Sequence, residues 1–292
     1  MYKVAILGCE NSHADSFLQA VIENKLVTDV EYVGIYSDDA QAAAKLHDRF
    51  GVYVAQSYDE FVGKVDGIII TARHGDNHYK YAKPYIASGI PMFIDKPITC
   101  SQEDAQAFMD ELKANNIRVC GGSVCVLADW VKQLKKAVET KQYGEVLGGY
   151  LRAPVNMDNP YGGFYFYSQH LVQVMTSIFG CYPKSVQVIS KEDKETNQTY
   201  TCVVRYEEYD VTIAYVAGNY IYYAGISCEK DVVGSVYSLD NCFVEEFMEI
   251  YELLKGGEQK QSYEDFFAPV YILGAIDRAM KSGKEEIVEK SR

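Results

Sequence analysis

The apolar positions of the first 122 residues alternate between short continuous runs and helical spacings. KVAIL (3–7) is continuously apolar, as expected for a strand buried on both faces of a sheet. ADSFLQAVIENKL (14–26) then carries Ala14, Leu18 and Ile22 at helical spacing. Further strand-like runs, most of them separated by helical stretches, are EYVGIY (31–36), GVYVA (51–55), DGIIIT (66–71), PMFID (91–95) and IRVCGG (117–122). This alternation predicts βαβ units in a doubly wound parallel sheet of the Rossmann type.

After Gly122 the pattern changes to consecutive strands. Helices at 127–140 and about 163–179 flank a strand near 145–152, and strand-like segments then follow one another from 185 to 239. Consecutive strands with short connections indicate an antiparallel sheet. Two helices follow, at 243–255 and about 263–281. We therefore predict an α/β protein with a Rossmann-type domain over 1–122. An α+β domain with an open, mostly antiparallel sheet follows over 123–292, and its last helix packs back on the N-terminal domain.

Charge and composition narrow the possible partners. The 292 residues carry a net charge of −13, with acidic residues spread along the chain, which argues against nucleic acid and anionic membranes. No apolar run approaches the length of a membrane helix, and MYKVAILG has no signal-peptide layout. The eight cysteines form no CxxC pair. We expect them to be reduced and mostly buried, in a cytoplasmic protein.

The first turn, GCENSHADSF (8–17), begins like a dinucleotide-binding turn and then departs from it. Gly8 ends the strand, but Glu10 and His13 stand where further small residues are expected. Either the turn keeps its length and Glu10 crowds the diphosphate, or the turn is shorter. In the shorter form, which we favour, a helix starts near Ser12, and Ser12 with Asp15 resembles a capping box. The backbone N–H groups that would then face a phosphate belong to Asn11, Ser12 and His13.

The most informative stretch is VDGIIITARHGDNHYKYAKPYIASGIPMFIDKPIT (65–99). Its strand ends at Thr71-Ala72, His78 follows, Ser88-Gly89 precedes the next strand, and that strand ends in Asp95-Lys96-Pro97. This arrangement resembles the Gfo/Idh/MocA family of NAD(P)-dependent oxidoreductases, whose members show Ala-Thr-Pro, His, Ala-Gly and Glu-Lys-Pro there. Independently of the family, Asp95 and Lys96 lie at the carboxyl end of a parallel strand, where ligands of such sheets bind.

The second family motif lies in YGGFYFYSQHLVQVMTSIFG (161–180). Gly162-Gly163 and His170 match the family, whereas Phe166 stands at the position of its aspartate, four residues before the histidine. The resemblance implies that Lys96 and His170 are catalytic. We expect the hydroxyl of Tyr167, near the same helix face, or that of Tyr165, close in sequence, to replace the carboxylate. Ser123-Val124-Cys125 stands where relatives have a polar pair, so one usual source of substrate contacts is lost.

The resemblance also implies a nicotinamide cofactor, NAD or NADP. Ser37 ends the second strand and is followed by Asp38, which can reach a ribose hydroxyl, so NAD is favoured. No metal is expected, because the stretch with His74, Asp76 and His78 matches a cofactor loop in relatives and no further ligand is evident. The expected cofactor-binding residues are Gly8, Asn11, Ser12, His13, Ser37, Asp38, Thr71, His74, His78, Asp95 and Lys96.

These features lead to three hypotheses. The first is hydride transfer between nicotinamide and a sugar, polyol or related small hydroxy compound. The second is an enzyme that retains the cofactor without net redox. The third is a ligand-binding or regulatory protein that kept the scaffold and lost catalysis.

A cluster of tyrosines marks the predicted second sheet. Their spacing fits cross-strand aromatic pairing, or a sheet face buried against another subunit, from which we predict a homodimer or a larger symmetric oligomer. The residues are Tyr200, Tyr206, Tyr209, Tyr215, Tyr220, Tyr222 and Tyr223.

Overall fold

The structure, a computed structural model, describes residues 1–191 and 199–291. It divides into two compact units. The first combines Met1–Gly122 with Asn241–Tyr263, and the second combines Ser123–Asp240 with the chain from Glu264 onward. The sequence pattern placed all of 123–292 in one domain, whereas the structure returns 241–263 to the first unit.

The helices and strands of both units lie close to the positions that the sequence predicts. The strands are β1 (Tyr2–Leu7), β2 (Val30–Tyr36), β3 (Gly67–Ile70), β4 (Met92–Asp95), β5 (Val119–Gly122), β6 (Val146–Val155), β7 (Ser185–Lys191), β8 (Thr199–Arg205), β9 (Asp210–Ala217), β10 (Tyr222–Cys228), β11 (Val232–Tyr237) and β12 (Glu286–Ile287). The helices are α1 (Ser12–Leu18), α2 (Ala40–Phe50), α3 (Asp76–Ile86), α4 (Gln102–Ala114), α5 (Asp129–Glu139), α6 (Phe164–Phe179), α7 (Cys242–Leu254) and α8 (Tyr263–Ser282).

The sheet of the first unit is parallel throughout, in the order β2-β1-β3-β4-β5. The predicted strand at 51–55 is wrong: only Val54 pairs, as an isolated parallel bridge to Ile35 on the far side of β2. Two hydrogen bonds hold the segment, from Ile35 N–H to Tyr53 O and from Ala55 N–H to Ile35 O. At this edge of the sheet the chain leaves β2 after the single pair of Val54 with Ile35. With the bridge included, the order is that of six-stranded Rossmann domains.

The core of the first unit explains why α7 belongs to it. Phe17 of α1, Phe93 of β4 and Phe247 of α7 are buried together, with ring centroids 5.3 Å apart for Phe17 and Phe93 and 5.8 Å for Phe17 and Phe247. Burial of this aromatic surface fixes α7 on the sheet.

The first turn takes its shorter form, as predicted, because α1 begins at Ser12. The predicted capping box is wrong. Asn11 is the N-cap residue and makes no side-chain cap bond, the Ser12 hydroxyl donates to Asn11 Oδ1, and Asp15 instead pairs with Arg49 at 2.8 Å. A π-helical turn, Gln19–Glu23, continues α1.

The sheet of the second unit has the order β11-β10-β6-β9-β8-β7-β12 and is antiparallel except for the parallel pair β6–β9. One face packs on α5 and α6 through buried side chains of alternate residues, including Leu151, Ile213 and Ile226. This confirms the predicted fold class of a parallel Rossmann-type sheet followed by a mostly antiparallel one.

The predicted tyrosine-rich face is wrong, because the strand alternation places most of these rings on the helix side. Tyr215 is fully buried and donates its hydroxyl to Ser168 O at 3.1 Å. Tyr200 pairs directly with Tyr215 and shares its face. Tyr222 approaches the His170 ring, with centroids 6.4 Å apart. Among the clustered tyrosines that lie within strands of the described chain, Tyr223 points to the opposite face, where it pairs with Arg152 and Val236.

None of the helices described in 1–191 and 199–291 is long and apolar enough to cross a membrane.

Candidate active site

The carboxyl end of β4 carries the buried pair Asp95 and Lys96, which are 0% and 4% exposed. The backbone N–H of Lys96 donates to Asp95 Oδ1 at 2.7 Å, and the Asn11 side-chain amide donates to Asp95 Oδ2 at 2.7 Å. The Lys96–Pro97 peptide bond is cis. Asp95 therefore ties the turn that carries Lys96 to the residue that precedes α1.

His13 lies between two buried carboxylates. Its Nδ1 is 3.4 Å from Asp95 Oδ2, and its Nε2 is 3.1 Å from Glu246 Oε2. Glu246 belongs to α7 and is 1% exposed. Sequence reasoning included His13 as a backbone donor to phosphate, but it missed the role of this side chain. It also missed Glu246, because no local pattern shows that α7 returns to the first sheet.

The electrostatics of this cluster favour a bound proton. Burial raises the pKa of Glu246 to about 7, although His13 beside it opposes the rise. Burial alone lowers the pKa of His13, but the charges of Asp95 and Glu246 outweigh it, so the pKa of His13 is raised. A protonated His13 between two carboxylates is the arrangement that compensates these buried charges best.

The ends of β1 and β3 are held against each other by short contacts. Gly8 has φ +77°, and a Cβ there would lie 2.4 Å from the backbone of Ala72, so only glycine fits. The Thr71 hydroxyl donates to Gly8 O at 3.0 Å. His78, which is fully buried, lies with Nε2 2.7 Å from Ala72 O. Burial lowers the pKa of His78, so it is neutral and supports the end of β3 from the interior.

The Glu10 side chain extends over the ends of the strands next to β1. Its Oε2 accepts a hydrogen bond from the Ser37 hydroxyl at 2.6 Å, and its Oε1 accepts one from the Arg73 backbone N–H at 2.9 Å. The sequence raised Glu10 as an obstacle only for the longer form of the turn. The structure gives it these contacts in the shorter form.

Asp38, expected to reach a ribose, follows β2 and is bound by two tyrosines. The hydroxyls of Tyr36 and Tyr81 donate to its two carboxylate oxygens at 2.6 and 2.7 Å. These hydrogen bonds lower the pKa of Asp38, so it carries a negative charge at neutral pH. Lys80 Nζ lies 3.7 Å from Asp38 Oδ2.

His74 lies in the loop after β3 and Asp76 is the first residue of α3, with His74 Nδ1 3.7 Å from Asp76 Oδ2. Cys100 brings a potential third metal ligand to them, all three ligand atoms being within 4.8 Å of one another. The expectation of no further ligand overlooked Cys100, which is distant in sequence. Burial, followed by the charge of Asp76, raises the pKa of the Cys100 thiol to about 12, which opposes the thiolate form that binds metals.

In the second unit, His170 lies on α6 and is 6% exposed. The Ser123 hydroxyl oxygen lies 2.7 Å from His170 Nδ1, and Cys125 Sγ lies 3.4 Å from the same nitrogen. The backbone N–H of Cys125 donates to Ser123 Oγ at 3.2 Å. The sequence presented Ser123-Val124-Cys125 as the loss of a polar pair, but Ser123 and Cys125 instead fix the His170 ring.

The start of α6 explains the Gly162-Gly163 motif. Gly163 has φ +56°, and a Cβ there would lie 2.9 Å from Met157 O. One turn further, the Phe166 and Tyr167 rings are 4.8 Å apart, and the Tyr167 ring is 6.1 Å from that of His170. Tyr167 therefore borders His170 as expected, in aromatic surroundings.

The fold and these local geometries define the class: a Rossmann-type domain joined to an α+β domain with an open sheet. Residues 2–122 match the model of GFO_IDH_MocA, the "oxidoreductase family, NAD-binding Rossmann fold". The match covers the Rossmann-type domain and agrees with the resemblance that the motifs of this domain indicated.

Three known proteins are similar to this chain. An "uncharacterized oxidoreductase" of Streptococcus pneumoniae serotype 4 is 30% identical over 112 residues, which cover 38% of this chain and 29% of the relative. Myo-inositol 2-dehydrogenase from Lactobacillus plantarum superposes with a TM-score of 0.84 at 13% identity, covering 99% of each chain. Scyllo-inositol dehydrogenase from Lactobacillus casei, with bound NAD(H) and scyllo-inositol, gives 0.83 at 13% identity and the same coverage. At such identities the superposition establishes the fold.

Proposed function

We propose that this protein is an NAD(P)-dependent oxidoreductase that acts on a CH–OH group of a sugar, polyol or related small hydroxy compound. The observation that carries the proposal is the buried Asp95-Lys96 pair at the carboxyl end of β4, within a domain of an NAD-binding family. A lysine is costly to bury unless its charge is used. The inositol dehydrogenases of the same fold make polyols the first substrates to test.

The residues of the first unit fit a dinucleotide in part. Gly8 keeps the close approach of β1 and β3 that such a site needs, and Asp38 presents a carboxylate suited to ribose hydroxyls. Gly8, Ser37, Asp38 and Thr71 would hold the dinucleotide, whose nicotinamide supplies hydride acceptance and donation when bound.

The chemistry assigned to this chain's own residues is proton transfer and charge stabilisation. Lys96 orients the substrate oxygen and stabilises the negative charge that develops on it during oxidation. His170 takes the hydroxyl proton, and we assign the transfer to Nε2, because Ser123 and Cys125 hold Nδ1. To the Tyr167 hydroxyl we assign, as acid or hydrogen-bond donor, the role of the aspartate whose position Phe166 occupies.

Fluorescence titration with NADH and NADPH is the first test, followed by absorbance at the nicotinamide band with a panel of inositols and sugars. Binding with stoichiometric NADH formation supports the proposal. Absence of binding to both dinucleotides up to millimolar concentration overturns it. Binding of polyols without turnover would instead favour a ligand-binding or regulatory protein.

We also propose a homodimer through the sheet face of the second unit that lies opposite its helices. Val232, Val236 and Ile189 on this face are 73%, 62% and 56% exposed, and Tyr150 packs beside Tyr223 there. Exposed aliphatic and aromatic side chains on one face of the sheet favour burial against a second copy. Light scattering at micromolar concentration tests this proposal, and a monomeric mass overturns it.

A further inference from the structure

The position of Glu10 within the parallel sheet gives it a role that the family motifs do not describe. β1 lies between β2 and β3 in the sheet. Glu10 follows β1, Ser37 follows β2, and Arg73 follows β3 after a short loop. With hydrogen bonds from Ser37 and Arg73, the Glu10 carboxylate therefore spans the carboxyl ends of three adjacent strands.

This place is the crevice in which open α/β sheets bind their ligands. Chain order reverses direction across the sheet between β1 and β3, and ligands bind outside the carboxyl ends of the strands at such a reversal. The Ser37 hydroxyl and the Arg73 amide are donors that point into this crevice. Glu10 engages both of them, as an anionic group of a ligand would.

The acidic residues near Glu10 add to its electrostatic effect on an anionic ligand. Asp38 is held ionised by Tyr36 and Tyr81, and Asp39 caps α2 beside it. Lys80, 3.7 Å from Asp38, is the cation nearest to that carboxylate among the ion pairs of the described chain. A dinucleotide phosphate that enters this crevice meets the negative charge of Glu10.

We propose that Glu10 is a specificity-determining residue of the dinucleotide site. Its carboxylate competes with the dinucleotide for the Ser37 and Arg73 donors, and together with Asp38 it discriminates against a 2′-phosphate. The inference rests on the proposed function, since it presumes a dinucleotide in this crevice. It predicts weak binding overall and a marked preference for NADH over NADPH.

The test compares wild type, Glu10→Ala and Glu10→Gln by fluorescence titration and calorimetry with NADH and NADPH. Glu10→Ala frees both donors and removes the charge, so the Kd for NADH should fall about tenfold and that for NADPH about a hundredfold. Glu10→Gln keeps one acceptor and should give a smaller change in the same direction. Since the effect is partly charge repulsion, the gain of Glu10→Gln over wild type should shrink as salt rises.

Glu31→Gln is the matched control. Glu31 is exposed at the amino end of β2, so the same change in net charge there should leave both Kd values unchanged. Circular dichroism verifies that each variant is folded, and Glu10→Gln carries the test if Glu10→Ala does not fold.

The outcomes separate the inference from the proposed function. Tighter binding by the Glu10 variants than by wild type supports the inference. If wild type binds and the Kd values of both variants stay within twofold of wild type or rise, the inference alone is overturned. No binding by wild type or by either variant overturns both.

Discussion

The two side chains to which we assign chemistry, Lys96 and His170, have contrasting surroundings. Lys96 follows Asp95, whose carboxylate contacts His13 in a fully buried, charged cluster. His170 is held by a hydroxyl and a thiol and is bordered by the Tyr167 and Tyr222 rings. The first arrangement stabilises charge at a high desolvation cost, whereas the second orients an imidazole through a hydroxyl, a thiol and aromatic rings. On this contrast we base the proposal that Lys96 supplies electrostatic stabilisation and that His170 supplies proton transfer.

The largest expected effect comes from removing the buried cation. Lys96→Ala should lower kcat/KM about a thousandfold, because the developing oxyanion loses its charge partner in a site from which water is excluded. Initial rates of NADH formation with the best polyol of the panel measure this loss. Lys64→Ala, at an exposed turn of the same unit, is the control. A loss of only a few-fold in Lys96→Ala would contradict the proposed role.

Disruption of the charged cluster of His13, Asp95 and Glu246 should lower the free energy of unfolding. Glu246→Ala leaves His13 with one carboxylate instead of two and opens a void under α7, so the free energy of unfolding should fall by about 3 kcal/mol. Urea denaturation measures the change. Glu258→Ala, in the exposed segment after α7, should change it by less than about 0.5 kcal/mol. Equal effects of the two substitutions would show that the cluster contributes no stability.

The hydroxyl, thiol and aromatic rings that surround His170 predict a smaller, kinetic effect. His170→Ala should lower kcat about a hundredfold, the usual scale of acid–base catalysis. Ser123→Ala should cost about tenfold and shift the pH profile of kcat, because the ring loses the hydroxyl 2.7 Å from Nδ1. Ser177→Ala is the matched control, since Ser177 is on the same helix and its hydroxyl donates to Val174 O. An unchanged pH profile in Ser123→Ala would limit Ser123 to a structural role.

The charged cluster of the first unit also predicts that the stability of the protein depends on pH. The folded-state pKa values of Glu246, about 7, and of His13 are both raised above their unfolded values. The folded protein therefore binds more protons than the unfolded chain above about pH 5, and stability falls as the pH rises from there through the raised pKa values. Wild type should lose about 2 kcal/mol more than Glu246→Gln between pH 5 and 8. If the free energies of unfolding of the two proteins change in parallel with pH, then His13 and Glu246 do not share a proton in the way proposed.

The sequence predicted local features well and long-range ones incompletely. Continuous apolar runs located β1, β3 and β4, and Gly163 marked the start of α6, because both signals depend on neighbouring residues alone. Glu246 stayed hidden, because its contact with His13 depends on the return of α7 to the first sheet. The tyrosine cluster misled for a related reason: composition shows that a sheet is aromatic, but only register shows which face each ring takes.

The smallest expected effect concerns the aspartate that this chain lacks. Phe166 packs against the Tyr167 and Tyr161 rings, at 4.8 and 5.7 Å, so Phe166→Asp trades aromatic contacts for a carboxylate one helical turn from His170. If the Tyr167 hydroxyl takes over from that carboxylate, Tyr167→Phe should lower kcat about fivefold in wild type. The same substitution should matter less in the Phe166→Asp background, and Phe166→Leu separates the lost aromatic packing from the gained charge. A double-mutant cycle measured on kcat gives the coupling between the two positions. Equal effects of Tyr167→Phe in all three backgrounds would show that Tyr167 acts independently of the missing aspartate, which would leave Ser123 as the polar side chain that prepares His170 for proton transfer.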